Sequence, residues 1–256
     1  MSLLLTVRST LSLLLVLTWM AVPCGPLLYL VIVPLSWVRP TRRRQLVSWY
    51  MKLICRGILA GFRLGGARFE LEDRLPTDQP TLIIGNHQSL LDIVLTTLIA
   101  DPIVPAFVPR IRYARFVPLV SRCIAMLGCP IVDPRRDPKG AVEVIRQAAA
   151  HEPHAIIIYP EGHRSRDGEI REFRTAGLQA ILETRSLPVH LIVSDGLWKA
   201  PRLVDFVFNV HHLRSRSVVM GPFLPPADPA EIPAAIAGWR ALMVERLHAL
   251  RGEARG

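Results

Sequence analysis

Apolar and polar positions divide the chain into three kinds of stretch. From Ser9 to Val38 no charged residue interrupts thirty positions, more than the roughly 20 needed to cross a bilayer. Pro23-Cys24-Gly25-Pro26 breaks that run, which predicts either one kinked span or a hairpin of two short apolar helices. Arg8 on one side and Arg39, Arg42, Arg43 and Arg44 on the other favour the hairpin, with both ends on the cytoplasmic side. No small-residue cleavage site follows, so the segment reads as a permanent anchor rather than a signal peptide. Gln45–Leu64 is amphipathic, and its Trp49, Tyr50, Lys52, Arg56 and Arg63 suit a membrane interface. The same pattern also suits a core helix.

Beyond Gly65-Gly66 the pattern changes to short apolar runs alternating with helical periods. Phe69–Glu72 alternates like an edge strand, Leu82–Ile84 and Ile103–Val108 read as strands, and Tyr113–Leu127 as a helix. A strand at Cys129–Val132 precedes a helix at Lys139–Ala150, and Ala155–Tyr159 is continuously apolar, as a strand buried on both faces would be. A helix at Phe173–Thr184, strands at Val189–Val193, Leu203–Val210 and Ser217–Met220, and a final helix near Ile232–Arg251 complete the order. Strands alternating with helices predict an α/β fold: a mostly parallel central sheet flanked by helices, with an N-terminal apolar helical membrane anchor. The division expected is 1–64 for the anchoring helices and 65–256 for a catalytic domain.

Charge sharpens the picture. The net charge is +10 and the mean hydropathy +0.31, so the partner is anionic. The basic residues are spread out and the N-terminus is lipid-like, which favours a membrane over nucleic acid. Cys24, Cys55, Cys123 and Cys129 form no C-x-x-C pair and no zinc spacing, and read as reduced core cysteines.

The candidate chemistry sits in Thr81–Ala100. A strand turns at Gly85-Asn86, presents His87, and enters a helix after Ser89 whose first turn carries Asp92. Residues five apart diverge by about 140° on one helix, so His87 meets Asp92 only from the preceding loop. An imidazole oriented by a carboxylate on its far nitrogen is a general base. Ser89-x-x-Asp92 is equally a capping-box pattern, compatible with that role. A second constellation, Tyr159-Pro160-Glu161-Gly162-His163-Arg164-Ser165, follows the Ala155–Tyr159 strand. Arg164 there offers a fork of donors to a phosphate or pairs with Glu161 across the turn. Arg135 follows another strand. Ligands of open α/β sheets bind beyond the carboxyl ends of strands, where these residues converge.

Asn86-His87-Gln88-Ser89-Leu90-Leu91-Asp92 resembles the NHxxxxD block of the glycerolipid acyltransferases, and Tyr159–Ser165 resembles their (F/Y)PEGTRS block. Pro118, Gly128 and Asp133 resemble the block between them; Phe173–Gly177 and Leu187-Pro188-Val189 resemble the later ones. The resemblance runs from about Thr81 to Val193. It implies acyl transfer from acyl-CoA or acyl carrier protein to a lysophospholipid hydroxyl, typically of 1-acyl-sn-glycerol 3-phosphate, at the inner membrane with the catalytic domain cytoplasmic. His87 and Asp92 would be catalytic; Asn86, Ser89, Arg135, Glu161, Gly162 and Arg164 would bind substrate, with no metal and no cofactor beyond the acyl donor. His163 replaces the usual threonine, and Pro134 displaces the middle-block arginine to Arg135. The acceptor block is therefore altered, leaving room for another lysolipid such as a lyso-ornithine lipid. A metal-dependent phosphoesterase using His87, Asp92 and Glu161, and a non-enzymatic anionic-lipid binder, are the competing readings.

Overall fold

The computed structural model describes residues 3–71 and 74–253. In chain order it has α1 (Leu3–Trp19), α2 (Val33–Val38), α3 (Arg43–Leu64), β1 (Arg68–Leu71), β2 (Leu75–Pro76), β3 (Leu82–Gly85) and α4 (Leu91–Ile99). Then come β4 (Ala100–Asp101), β5 (Ala106–Phe107), α5 (Ile111–Phe116), α6 (Pro118–Leu127), α7 (Pro138–His151), β6 (Ile156–Ile158) and α8 (Ala176–Thr184). The chain closes with β7 (Val189–Asp195), α9 (Phe206–Asn209), β8 (Arg214–Phe223) and α10 (Ile232–Glu253). The main sheet runs β1-β8-β7-β3-β6-β5, and only the β7–β8 pair is antiparallel. This is the mostly parallel, helix-flanked sheet that the alternation predicts.

Side-chain alternation along the central strands feeds two apolar layers. Leu82 and Ile84 of β3, Ile156 and Ile158 of β6, and Leu191 and Val193 of β7 pack toward α7, α8 and α10. Ile83, Ile157 and Ile192 point the other way, into a core shared with α1, α3, α4 and α6. The expected edge strand at Phe69–Glu72 is β1, with Glu72 outside the described residues.

Several boundaries differ from the pattern. The expected helix Tyr113–Leu127 is two helices, because Val117, preceding Pro118, is held extended at φ −124°. Cys129–Val132 contributes only a bridge between Val132 and Arg110. Leu203–Val210 is not a strand: its alternation belongs to short helical turns, with Phe206 and Val210 buried against the N-terminal helices.

The hairpin expected at Pro23–Pro26 does not form. α1 continues through wider turns at Met20–Cys24 and Leu27–Ile32 into α2, giving one helix over Leu3–Val38. The reversal comes later, around Pro40, and α3 returns antiparallel beside it. Arg8 Nε bonds Leu64 O at 3.2 Å, Ser12 Oγ bonds Gly61 O at 2.8 Å, and Trp19 Nε1 bonds Ile54 O at 3.3 Å. Tyr50 Oη bonds Cys24 O at 2.8 Å. Gly57, Gly61 and Gly65 form the groove, since a Cβ there would overlap Trp19, Val16 and Ser12 respectively. Small residues at four-residue spacing let two helix backbones approach closely.

α3 packs one face into the core, the alternative its pattern allowed, while Trp49, Arg56 and Arg63 stay exposed on the other. Tyr50 is fully buried, Lys52 reaches Asp101 and Pro102 O, and Arg44 pairs with Glu152 at 2.8 Å. The outer face of the Leu3–Val38 helix remains open, with Leu4, Leu11, Leu30 and Trp37 exposed. All four cysteines are free and buried.

Candidate active site

The loops after β5, β6, β3 and β7 leave the same end of the sheet, because these strands are mutually parallel. That common edge gathers the chemistry. His87 follows β3 by two residues and lies before α4, the loop position its spacing to Asp92 requires. His87 Nδ1 and Asp92 Oδ2 are 2.7 Å apart. The same Oδ2 accepts the backbone N–H of Gln88 at 2.6 Å and of Ser89 at 2.8 Å. Half of the capping pattern is thus present and serves the dyad: Asp92 braces the loop that carries His87. Asp92 is 2% exposed at its side chain and His87 20%. His87 Nε2 has no hydrogen-bond partner among the described residues, so it is open to a ligand.

The imidazole is fixed from other sides as well. Its ring stacks on Tyr159, with centroids 4.8 Å apart. The Tyr159 hydroxyl lies 3.0 Å from Thr96 Oγ1, and burial drives its pKa far upward, keeping it neutral. Gly85 is required here, because a Cβ would strike the Tyr159 ring.

Glu161 has both oxygens engaged. Oε1 accepts His87 N at 2.7 Å and Oε2 accepts Arg171 N at 3.0 Å. Burial raises its carboxyl pKa, while those two N–H groups and the nearby His87 pull in the opposite direction. Ser165 N donates to His87 O at 2.7 Å, so the two loops are stitched through both backbone and side chain.

The other predicted residues divide into interior ties and a basic surface. Asn86 is buried and pairs both amide atoms with the Ser194 backbone at 2.8 Å, tying β3 to β7. Ser89 is fully buried and does not cap α4; its hydroxyl donates to Ala200 O at 2.6 Å. Arg164 neither pairs with Glu161 nor stands free: it bonds Pro201 O, with Tyr113 Oη at 3.4 Å. Gly162 takes the left-handed conformation at φ +70°, and its carbonyl receives Arg110.

Arg135 is exposed beside Arg110, Arg174 and His163. Arg174 Nη2 lies 3.4 Å from His163 Nδ1. Partial burial, then the charges of Arg174, Arg110 and Arg135, hold the His163 imidazole below its ordinary pKa. Burial and the charges of Arg112, Arg135 and Arg174 lower that of Arg110. Four cationic or cationizable groups crowd one surface.

Sequence reasoning missed Arg110 and Arg174, which become neighbours only when the loops after β5 and β6 fold together. It also missed the layer beneath. Gln88 Nε2 donates to Gly168 O and Asp195 Oδ1, and its Oε1 accepts Leu197 N. Arg251 of α10 reaches the same carbonyl at 2.9 Å and the same carboxylate at 3.1 Å. No spacing signals that contact, since residues 168 and 251 are 83 apart. Among the described residues no cluster of three or more His, Cys, Asp or Glu side chains has metal-binding geometry.

A family model described as Acyltransferase matches residues 66–194. A chloroplastic 1-acyl-sn-glycerol-3-phosphate acyltransferase of Brassica napus is 27% identical over 131 residues, covering 50% of this chain and 37% of the relative. Its Arabidopsis thaliana counterpart is 26% identical over 116 residues, covering 44% and 32%. The matched stretch is thus about a third of each curated relative. The crystal structure of PlsC, the 1-acyl-sn-glycerophosphate acyltransferase of Thermotoga maritima, superposes with a TM-score of 0.69 over 95% of this chain and 98% of that one, at 20% identity. At that identity the likeness establishes the fold.

Proposed function

The chain belongs to the acyltransferase family, and from that premise we propose that it is a membrane-bound O-acyltransferase acting on a lysophospholipid, with 1-acyl-sn-glycerol 3-phosphate the first candidate. The observation that carries this reading is the His87–Asp92 pair, with Nδ1 held at 2.7 Å, a partly exposed imidazole, and Nε2 without a hydrogen bond among the described residues. Asp92 fixes the tautomer that leaves Nε2 able to accept a proton. The acceptor hydroxyl gives its proton to Nε2 as its oxygen attacks the thioester carbonyl of acyl-CoA or acyl carrier protein. The tetrahedral adduct then expels the thiolate, which takes the proton back from the imidazolium. The acceptor oxygen is the nucleophile, so the step needs no acyl-enzyme and draws on no metal or cofactor.

We assign the acceptor phosphate to Arg110, Arg135, Arg174 and His163, with the Gly162 turn beneath them. Glu161 serves as a positioning residue, because a carboxylate repels phosphate and both its oxygens are already engaged. Asn86, Ser89 and Arg164 likewise hold the scaffold. The exposed apolar face of the Leu3–Val38 helix supports attachment to a membrane, and its continuous packing on α3 favours a helix lying along the surface. We place that surface at the cytoplasmic side of the inner membrane.

Purified protein in lipid, given labelled acyl-CoA or acyl carrier protein with chelator present, is tested against a panel of lysolipids. Diacyl product from 1-acyl-sn-glycerol 3-phosphate is the expected result. Preference for a lysolipid without a phosphate monoester would overturn the acceptor assignment.

A further inference from the structure

Between β7 and β8 lies a segment that none of the motifs accounts for. Residues Leu203, Val204 and Phe208 are 51%, 56% and 46% exposed on short helical turns. Their neighbours are firmly anchored: Phe206 is buried and stacks on Phe62 of α3, with ring centroids 4.9 Å apart, and Val210 is fully buried. The exposure therefore belongs to a fixed shape. An Arg202–Asp205 pair at 3.2 Å braces the first turn.

Two further relations give the exposure a direction. α9 packs along α1, and His211 Nδ1 lies 3.0 Å from Ser9 Oγ, so the segment adjoins the helix whose outward side chains include Leu11 and Leu15. Its root is tied to the active site, through Ser89 Oγ on Ala200 O and Arg164 on Pro201 O. Exposed Arg202, Lys199 and Arg8 border the patch and suit anionic headgroups.

We propose that Leu203–Phe208 is a second lipid-contacting element, an apolar lip at the mouth of the active site that enters the same bilayer surface as α1. An apolar patch beside a membrane-lying helix, bordered by cations, is what an interfacial surface requires. The lip sets the site at the depth where an acceptor's acyl chain remains in lipid while its hydroxyl reaches His87. This inference rests on the membrane attachment proposed above.

The four native cysteines are buried, so a thiol-reactive environment-sensitive fluorophore labels an introduced surface cysteine selectively. Val204→Cys is compared with Leu15→Cys on α1 and Val144→Cys on α7, each full-length and bound to phosphatidylglycerol-containing vesicles that carry chain-attached nitroxide lipids. The inference predicts loss of emission and a blue shift at position 204 comparable to those at 15, with neither at 144. Quenching at 15 but not at 204 overturns the lip and leaves the membrane attachment standing. Absence of quenching at 15 overturns the attachment itself, and the lip with it.

Discussion

Asp92 Oδ2 receives three N–H groups, from His87, Gln88 and Ser89, while the buried Oδ1 receives none among the described residues. That lopsided arrangement makes the residue both hinge pin and orienter. Asp92→Asn places amide hydrogens against those donors or reverses the imidazole tautomer, and the expected loss of turnover is about 10²-fold or more. Circular dichroism on the same preparation separates that effect from unfolding. Glu161→Gln keeps one acceptor oxygen and strands a backbone N–H, which costs about 1–3 kcal/mol at this buried site, read from the denaturation midpoint. His163 supplies the pH prediction. Burial and then the neighbouring arginines hold its pKa below the ordinary value in the free protein, which disfavours the charged form. A bound phosphate offsets those charges and raises the pKa, so binding takes up a proton. Affinity for glycerol 3-phosphate then falls as pH rises through the raised value, and the His163 ring resonance titrates at higher pH with ligand than without.

At the scale of elements, the long helix and α3 meet through glycines. Gly57→Ala forces a methyl into the Trp19 indole, at an expected cost of about 1–3 kcal/mol, and Trp19→Leu in the same chain recovers much of it in a double-mutant cycle. The two carboxylate-bearing loops are held from below by α10. Arg251→Met leaves Asp195 and the Gly168 carbonyl short of a donor, and a lower thermal midpoint accompanied by a lower kcat is expected. Legibility in the sequence follows the range of the contact. His87 and Asp92 were legible because a loop-to-helix pair leaves a short fixed spacing, and Ala155–Tyr159 because a strand buried on both faces is apolar throughout. The Gly57-Gly61-Gly65 ladder was present but hidden by the charged residues beside it, which suggested a lipid interface. Pro23 and Pro26 suggested a turn, yet the helix passes them through wider turns. Leu203–Val210 alternates because one side faces the N-terminal helices and the other is open, which a local pattern cannot tell from a strand.

For the whole molecule, the expected boundary at 64/65 coincides with the end of α3, and packing is continuous across it. Leu59 and Phe62 share one core with Ile83, Ile157 and Ile192 of the sheet. Deleting residues 1–38 uncovers Tyr50, Ile58 and the glycine groove, so the shortened chain is expected to aggregate in size-exclusion chromatography rather than yield a soluble catalytic domain. The most direct test of the central claim is acyl transfer by wild type and His87→Ala, side by side in the same lipid, with folding verified for both. A catalytic His87–Asp92 dyad gives diacyl product from wild type and a loss of about 10²–10⁴-fold in the variant. Turnover by His87→Ala at the wild-type rate would contradict it.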